Sequence, residues 1–168
     1  MERELLLLGL LRFQDMYGYQ LNDLIDSHLG ICVQLKKPTV YRLLNKMTDD
    51  GWVIYREEQE GNRPPRRVYT ITSEGELAFQ RLLRESLAEY RPAEFHSDIS
   101  LAFLNVLPAE EVVPLLHKRR LVIENLLQTA HSREGHHGSF HVMVEHQIRH
   151  LSMELEWLDE IVARITAL

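Results

Sequence analysis

Residues 38–51 read PTVYRLLNKMTDDG and have the periodicity of a one-sided helix. Apolar residues recur there at i, i+3, i+4 and i+7, which is the spacing of a buried helix face. Pro38 suits a first helical turn, because its missing N–H would have no partner there, and Gly51 supplies a stop. The opposite face carries hydroxyl, amide and cationic side chains. This face suits a DNA major groove, although an ordinary amphipathic surface helix has the same pattern.

The residues before this helix predict the other parts of a helix-turn-helix core. Residues 2–13 carry leucines around most of the helix circumference, which indicates burial on several sides. The pattern further predicts a turn over 14–18, a second helix over 19–28 and a short strand over 31–35. Helix, helix, short strand and basic helix, in this order, are typical of the helix-turn-helix motif.

The residues after the helix predict a basic β-hairpin. Two strands, 52–58 (WVIYREE) and 67–72 (RVYTIT), flank a turn that contains the sequence GNRPP. Arg63, Arg66 and Arg67 at the tip would contact phosphates or enter a minor groove. A basic hairpin directly after a basic helix favours a winged helix over a surface hairpin with solvated arginines.

The distribution of charge agrees with a polyanionic partner even though the net charge does not. The chain of 168 residues has a formal net charge of -6. Residues 1–72 nevertheless hold 10 basic and 10 acidic side chains, so the whole acidic excess lies in 73–168. Most of the early cations cluster between residues 36 and 67. Because the local field steers association, this cluster predicts the face that meets DNA.

Four segments in order, LLLLGLL, YGYQL, PTVYRLLNKMTDDGWV and GNRPPRRVYTITSEG, resemble the PadR-like transcriptional regulators. The resemblance covers about the first 75 residues. It implies a winged helix-turn-helix, a homodimeric repressor whose C-terminal helices supply the dimer contact, and a response to a small aromatic or hydrophobic effector. The candidate DNA-binding residues are Tyr19, Lys36, Lys37, Thr39, Tyr41, Arg42, Lys46, Arg63, Arg66 and Arg67.

The second half of the sequence predicts helices. A linker helix over 73–90 is capped by Thr72 or Ser73, a short helix lies within 95–106, and a longer one runs from Pro108 to about His131. The last helix, 140–165, has apolar residues in steps of four and three, a heptad pattern that favours partner helices. An internal hairpin with the helix from Pro108 would explain it alone, but we expect one side to pack within the chain and the other to form a dimer. The candidate dimerisation residues are Ile148, Leu151, Leu155, Leu158, Val162 and Ile165.

These elements together predict a mainly α protein with a small β-hairpin wing. Residues 1–90, including the linker helix, would form the winged-helix DNA-binding domain, and 91–168 a C-terminal helical dimerisation and effector domain. For the effector, Phe103, Trp157 and the leucine helix 5–11 are the candidate pocket walls, and core packing explains them equally well.

The remaining motifs exclude more than they indicate. The sequence has no glycine-rich phosphate loop, nucleophile elbow or HExxH motif, so we expect neither an enzyme nor a cofactor. Six of nine histidines lie between His131 and His150, and two i, i+4 pairs leave a metal-responsive regulator open as an alternative to a solvated turn. A winged-helix protein-interaction module without DNA binding is the other alternative. The apolar N-terminal run is too short to span a bilayer, and we expect a cytoplasmic, bacterial protein without membrane contact.

Overall fold

The computed structural model describes residues 1–29, 35–59, 61, 64–92, 95, 98–132 and 139–167. The chain divides into two compact units, Met1–Pro92 and Ala93–Leu168. The first unit contains the mainly helical winged helix-turn-helix that the sequence predicts. Its elements are α1 (Glu2–Leu11), β1 (Met16–Tyr17), α2 (Gly18–Leu24), a π-helical turn (Ile25–Leu29), α3 (Lys37–Asp49), β2 (Val53–Glu58), β3 (Arg66–Ile71) and α4 (Ser73–Ala88).

The hydrophobic core of the first unit lies behind α3. The four apolar residues at i, i+3, i+4 and i+7 of α3 are all buried, as predicted, and so are Leu7, Leu8, Leu10 and Leu11 of α1. Helix α1 packs against α3, α4 and β3, which explains why its leucines surround the helix. Core packing in the first unit therefore accounts for the leucine helix that the sequence also offered as a pocket wall.

The strands form a three-stranded antiparallel sheet in the order β1-β3-β2. We call β2, β3 and their connection the wing. In the wing, Val53 pairs with Ile71 and Glu58 with Arg66, so the strands are in register along their whole length. The predicted turn over 14–18 is wrong in part, because Met16 and Tyr17 pair with Tyr69 and Val68 at the free edge of β3. Two residues are too few to show a strand periodicity in sequence.

Several predicted boundaries also change. The second helix is α-helical only to Leu24, after which the π-helical turn continues it. The strand predicted over 31–35 lies outside the described residues except for Leu35, which is not in a strand. The short helix predicted within 95–106 is a four-residue helix, α5 (Asp98–Leu101), followed by a separate 3-10 turn, Leu104–Val106.

Two long helices make up most of the second unit. Helix α6 (Ala109–His131) begins after Pro108, and α7 (Ser139–Thr166) packs against it. Ion pairs cross this helix pair at two levels, from Arg119 to Glu154 at 2.5 Å and from Arg120 to Asp159 at 2.7 Å. The pairing explains the heptad pattern of α7 at least in part, because it supplies a partner helix within the same chain.

Candidate nucleic-acid interface

The outer face of α3 presents the polar side chains that the sequence singled out. Arg42, Asn45 and Lys46 are exposed, while Thr39 and Tyr41 are half-buried at the edges of the face. Lys36 occupies the extended N-cap position and Lys37 begins the helix, and both are exposed. Cations and donors at the start of an exposed helix can contact phosphates, and the next turns can reach base edges.

The position of Tyr41 depends on a glycine in the preceding helix. A Cβ atom added to Gly18 would lie 2.7 Å from Cε1 of Tyr41, closer than a real contact allows. Gly18 begins α2, so the tyrosine ring rests directly on the backbone at the start of that helix. This contact brings α3 close to the start of α2, and the resemblance indicated both residues without indicating that they touch.

The wing places two more candidate cations beside α3. Arg66 and Arg67 begin β3 and are exposed, whereas Arg63 lies outside the described residues. The guanidinium of Arg66 lies 5.5 Å from the ring centroid of Tyr19, and Tyr19 in turn stacks on Tyr17 at 5.4 Å. Tyr19 thus supports a cation through its ring face, which holds the arginine toward α3 rather than away from it.

An open groove of about 480 Å³ separates α3 from the wing. Its lining combines aromatic rings with polar and charged side chains. Its walls are Tyr17, Gly18, Tyr19, Tyr41, Asn45, Glu57, Pro65, Arg66, Arg67 and Tyr69. The groove therefore brings together four of the predicted DNA-binding residues from three different elements.

Acidic side chains already pair with some of the predicted cations. The ammonium of Lys46 lies 3.1 Å from Glu4 of α1. The guanidinium of Arg67 lies 3.3 Å from Glu57 and stacks over Tyr55. The pairing with Glu57 raises the pKa of Arg67. A phosphate at Lys46 or Arg67 would have to replace a carboxylate, so these two cations would gain less from DNA than Arg42 would.

At the far side of the wing, a hydrogen-bonded network ties β2 to the residues before β1. Arg56 bonds to Asp15 and Glu58 at 2.9 Å each, and the hydroxyl of Tyr17 donates to Glu58 at 2.5 Å. The hydrogen bond from Arg56 lowers the pKa of Asp15, and the hydrogen bond to Glu58 raises that of Tyr17. Arg56 belongs to the basic cluster in sequence, but its role here is to hold the sheet together.

The carboxylate of Glu4 links the start of α1 to α3. Burial would raise its pKa, but hydrogen bonds from the Met1 amino group, its own backbone and Lys46 lower the pKa from 4.5 to about 2. Since the folded-state pKa is the lower one, the carboxylate contributes stability above pH 4.5 that is lost as the pH falls toward 2.

We expect Glu4→Gln to reduce the acid sensitivity of the first unit. The free energy of unfolding, measured with urea between about pH 5 and pH 2.5, should fall less steeply in the variant than in the wild-type protein. Glu74→Gln, which changes an exposed glutamate of α4, is the matched control and should follow the wild-type curve. Parallel curves for all three proteins would contradict the role given to Glu4.

In the second unit, the candidate dimerisation residues divide into two groups. Leu151 and Leu158 are buried within the chain itself, on the side of α7 that packs intramolecularly. Ile148, Leu155, Val162 and Ile165 are half-buried. Apolar side chains on α6 are more exposed than these, with Leu115 at 58% and Val122 at 56%.

The two effector candidates also separate. A cavity of about 370 Å³ beside α7 has Trp157 in its wall, whereas Phe103 is not among the residues that line it and is 64% exposed. Phe95, which the sequence gave only a place in a short helix, is part of the wall instead.

The structure offers no support for a metal site within the part that it describes. No group of three or more histidine, cysteine or acidic side chains that could hold an ion occurs among the described residues. His136 and His137 lie outside that part, so the pair formed by His137 and His141 does too. His150 is half-buried and packs against Phe95, with the two ring centroids 6.1 Å apart. Within the same described ranges, none of the helices is both long enough and apolar enough to cross a bilayer.

The comparison with protein families is decisive for residues 7–81, which match the model of the transcriptional regulator PadR-like family. Residues 7–81 therefore form a domain of the PadR-like family of transcriptional regulators. The matched segment runs from α1 into α4 and includes α3 and the wing. This family consists of transcriptional regulators and not of enzymes, in agreement with the sequence.

Curated relatives extend the similarity beyond the winged helix. The chain is 28% identical over 126 residues to the negative transcriptional regulator PadR of Bacillus subtilis. The aligned segment covers 71% of this chain and 68% of that protein. The chain is also 29% identical over 75 residues to a probable transcriptional regulator of Mycobacterium tuberculosis, across 45% of this chain and 40% of that protein.

Solved structures with a similar fold cover nearly the whole chain. Bacillus subtilis PadR in complex with operator DNA gives a TM-score of 0.83 at 20% identity, covering 98% of this chain and 99% of that one. The same regulator in complex with p-coumaric acid gives 0.77 at 20% identity, over 97% and 98%. The Vibrio cholerae virulence activator AphA gives 0.73 at 19% identity, over 98% of both chains.

Proposed function

We propose that this PadR-like regulator is a homodimeric repressor that binds a specific duplex operator and is released by a small hydrophobic or aromatic effector. The observation that carries the proposal is the groove between α3 and the wing, which Arg66 lines, together with the exposed Arg42 on α3. Bacillus subtilis PadR, whose fold this chain shares, has been solved with operator DNA. A regulator that acts on chromosomal DNA works in the cytoplasm, which is the location we propose.

Each part of the interface has a proposed role. Thr39, Tyr41, Arg42 and Lys46 enter the major groove and read base edges. Lys36 and Lys37 at the start of α3 hold phosphates, and Arg63, Arg66 and Arg67 of the wing contact the adjacent backbone or minor groove. Tyr19 positions Arg66 through their ring contact.

Dimerisation would supply the two-fold symmetry that a two-fold operator requires. The exposed leucine and valine side chains of α6 and the half-buried Ile148, Leu155, Val162 and Ile165 of α7 are the surfaces we propose for the contact. In a lone chain this surface exposes apolar area to water. Burial of that area against a second copy of the chain is favourable in free energy. Sedimentation at micromolar concentration should therefore give twice the mass of the chain.

Fluorescence anisotropy with a labelled duplex from the region upstream of its own coding sequence tests DNA recognition. We expect binding about a thousandfold tighter than to a scrambled duplex of equal length, with an affinity that falls steeply as salt rises. Absence of binding even at low salt would favour a winged-helix interaction module. A reporter gene behind the bound duplex tests the sign of regulation: lower expression is expected, and higher expression would assign an activator.

A further inference from the structure

The cavity beside α7 has a lining that favours one class of ligand. Its apolar part consists of three aromatic rings and a thioether, those of Phe95, His150, Trp157 and Met153. Its polar part consists of three charged groups, those of Asp98, Arg119 and Glu154. The volume of about 370 Å³ is that of a small-molecule site.

The cation in this lining already has a partner. The guanidinium of Arg119 lies 2.5 Å from the carboxylate of Glu154, and the two side chains are only 23% and 22% exposed. If Arg119 turned to an anionic ligand, Glu154 would remain half-buried without its cation, in a cavity that also contains Asp98. Removing one member of a partly buried pair is costly, so the cavity disfavours an anion.

The remaining charge favours a positive ligand. Arg119 and Glu154 neutralise each other, which leaves the Asp98 carboxylate as the third charged group of the described lining. The ring of Trp157 is 37% exposed, and the rings of Phe95 and His150 lie with their centroids 6.1 Å apart. Aromatic faces attract a cation through their quadrupole. The polarisable thioether of Met153 can pack against the alkyl groups of an organic cation.

We propose that this cavity binds a small organic cation that carries an aromatic or alkyl group, with Asp98 as its counter-ion and Trp157 as its principal ring contact. The binding of this cation does not depend on the proposed function. Only the identification of the cation as the effector rests on that function. It also separates this chain from the regulator of the same fold that was solved with p-coumaric acid, a carboxylic acid.

Isothermal titration calorimetry with the full-length protein tests the ligand class. At about pH 8, where an ordinary imidazole is uncharged, phenyltrimethylammonium should bind at least about tenfold more tightly than p-coumarate. Asp98→Asn should weaken the cation about tenfold and leave p-coumarate unchanged or slightly tighter. Glu156→Gln, a change at an exposed carboxylate of α7 outside the lining, should leave both affinities unchanged.

Either of two results would overturn the inference: tighter binding of p-coumarate, or equal affinity of the Asp98→Asn variant and the wild-type protein for the cation. Operator anisotropy on the same samples separates this inference from the proposed function. Cation binding that depends on Asp98 supports the cavity assignment even if the DNA complex persists, and persistence of that complex would count against release by this ligand. If the protein does not bind the operator even when no ligand is present, the result counts against the proposed repressor function and not against the cavity assignment.

Discussion

Gly75→Ala is expected to destabilise the first unit by about 3 kcal/mol or more. A Cβ atom at this position would lie 2.0 Å from the carbonyl oxygen of Trp52 and 2.8 Å from Cγ1 of Ile71. The obstacle is backbone, so a side-chain rotation cannot relieve it. The same carbonyl accepts a hydrogen bond from the Thr72 N–H, and the Trp52 N–H donates to Met47. Helix α4 is thus locked to the point where α3 passes into the wing.

Urea denaturation of the purified variant measures this loss. Gly9→Ala is the matched control: its new Cβ would meet only the Phe79 ring, at 3.2 Å, and this flexible side chain can move. We expect the control to change stability by less than about 1 kcal/mol, since alanine is also the better helix former. Equal stability of Gly75→Ala and the wild-type protein would show that α4 is not held against Trp52 in this way.

The double variant Arg42→Ala/Arg66→Ala is expected to bind the operator at least about 100-fold more weakly. Arg66 lines the groove and Arg42 is exposed on α3, and the loss of an arginine contact costs about 1–3 kcal/mol. Among the described residues, no carboxylate forms an ion pair with Arg42, so this cation is ready for a phosphate or a guanine. Stability should change little, because neither side chain is buried.

Arg81→Ala/Arg149→Ala is the matched control for that measurement. It removes the same charge from two exposed arginines whose carboxylate partners lie one turn further along or back on the same helix. Anisotropy at several salt concentrations should also show a shallower salt dependence for the groove variant, because it makes fewer phosphate contacts. An equal loss in both double variants would assign the effect to net charge rather than to the groove.

The sequence predicted those helices and turns that are specified by residues close together in the chain. Pro38 lies in the first turn of α3, and Gly51 follows that helix with a φ of +75°, the conformation that makes glycine a stop. Thr72 caps α4 as predicted, since its hydroxyl accepts from the N–H of Gly75 at 3.0 Å. The winged helix-turn-helix class is also confirmed. The sequence could predict it because helix periodicity and turn residues both depend on residues that are neighbours in the chain.

The missed features join residues that are distant in sequence. The strand β1 exists only because Met16 and Tyr17 meet the free edge of β3. In the sequence, Lys46 has no evident link to Glu4, because Glu4 lies 42 residues earlier. Only the fold brings the two side chains together. The close fit of Tyr41 on Gly18 is equally invisible in either segment alone. Such contacts have no local pattern, so no periodicity could have predicted them.

The second unit shows a different limit of sequence reasoning. A heptad pattern predicts that α7 packs against a helix, but it does not specify whether that helix belongs to the same chain. The structure buries Leu151 and Leu158 within the chain, and it leaves Ile148 and Leu155 half-buried. The sequence likewise did not separate Trp157 from Phe103 as pocket candidates, and only the packing of α7 places the tryptophan in a cavity wall.

Hydroxyl-radical footprinting of the regulator on the duplex upstream of its own coding sequence tests the central claim most directly. If the α3 and wing faces of two chains bind one duplex, the backbone should be protected in two patches related by two-fold symmetry. Their centres should lie about one helical turn, or a whole number of turns, apart. A single patch would contradict the two-fold arrangement, and a duplex left unprotected at low salt would contradict the DNA-binding face itself.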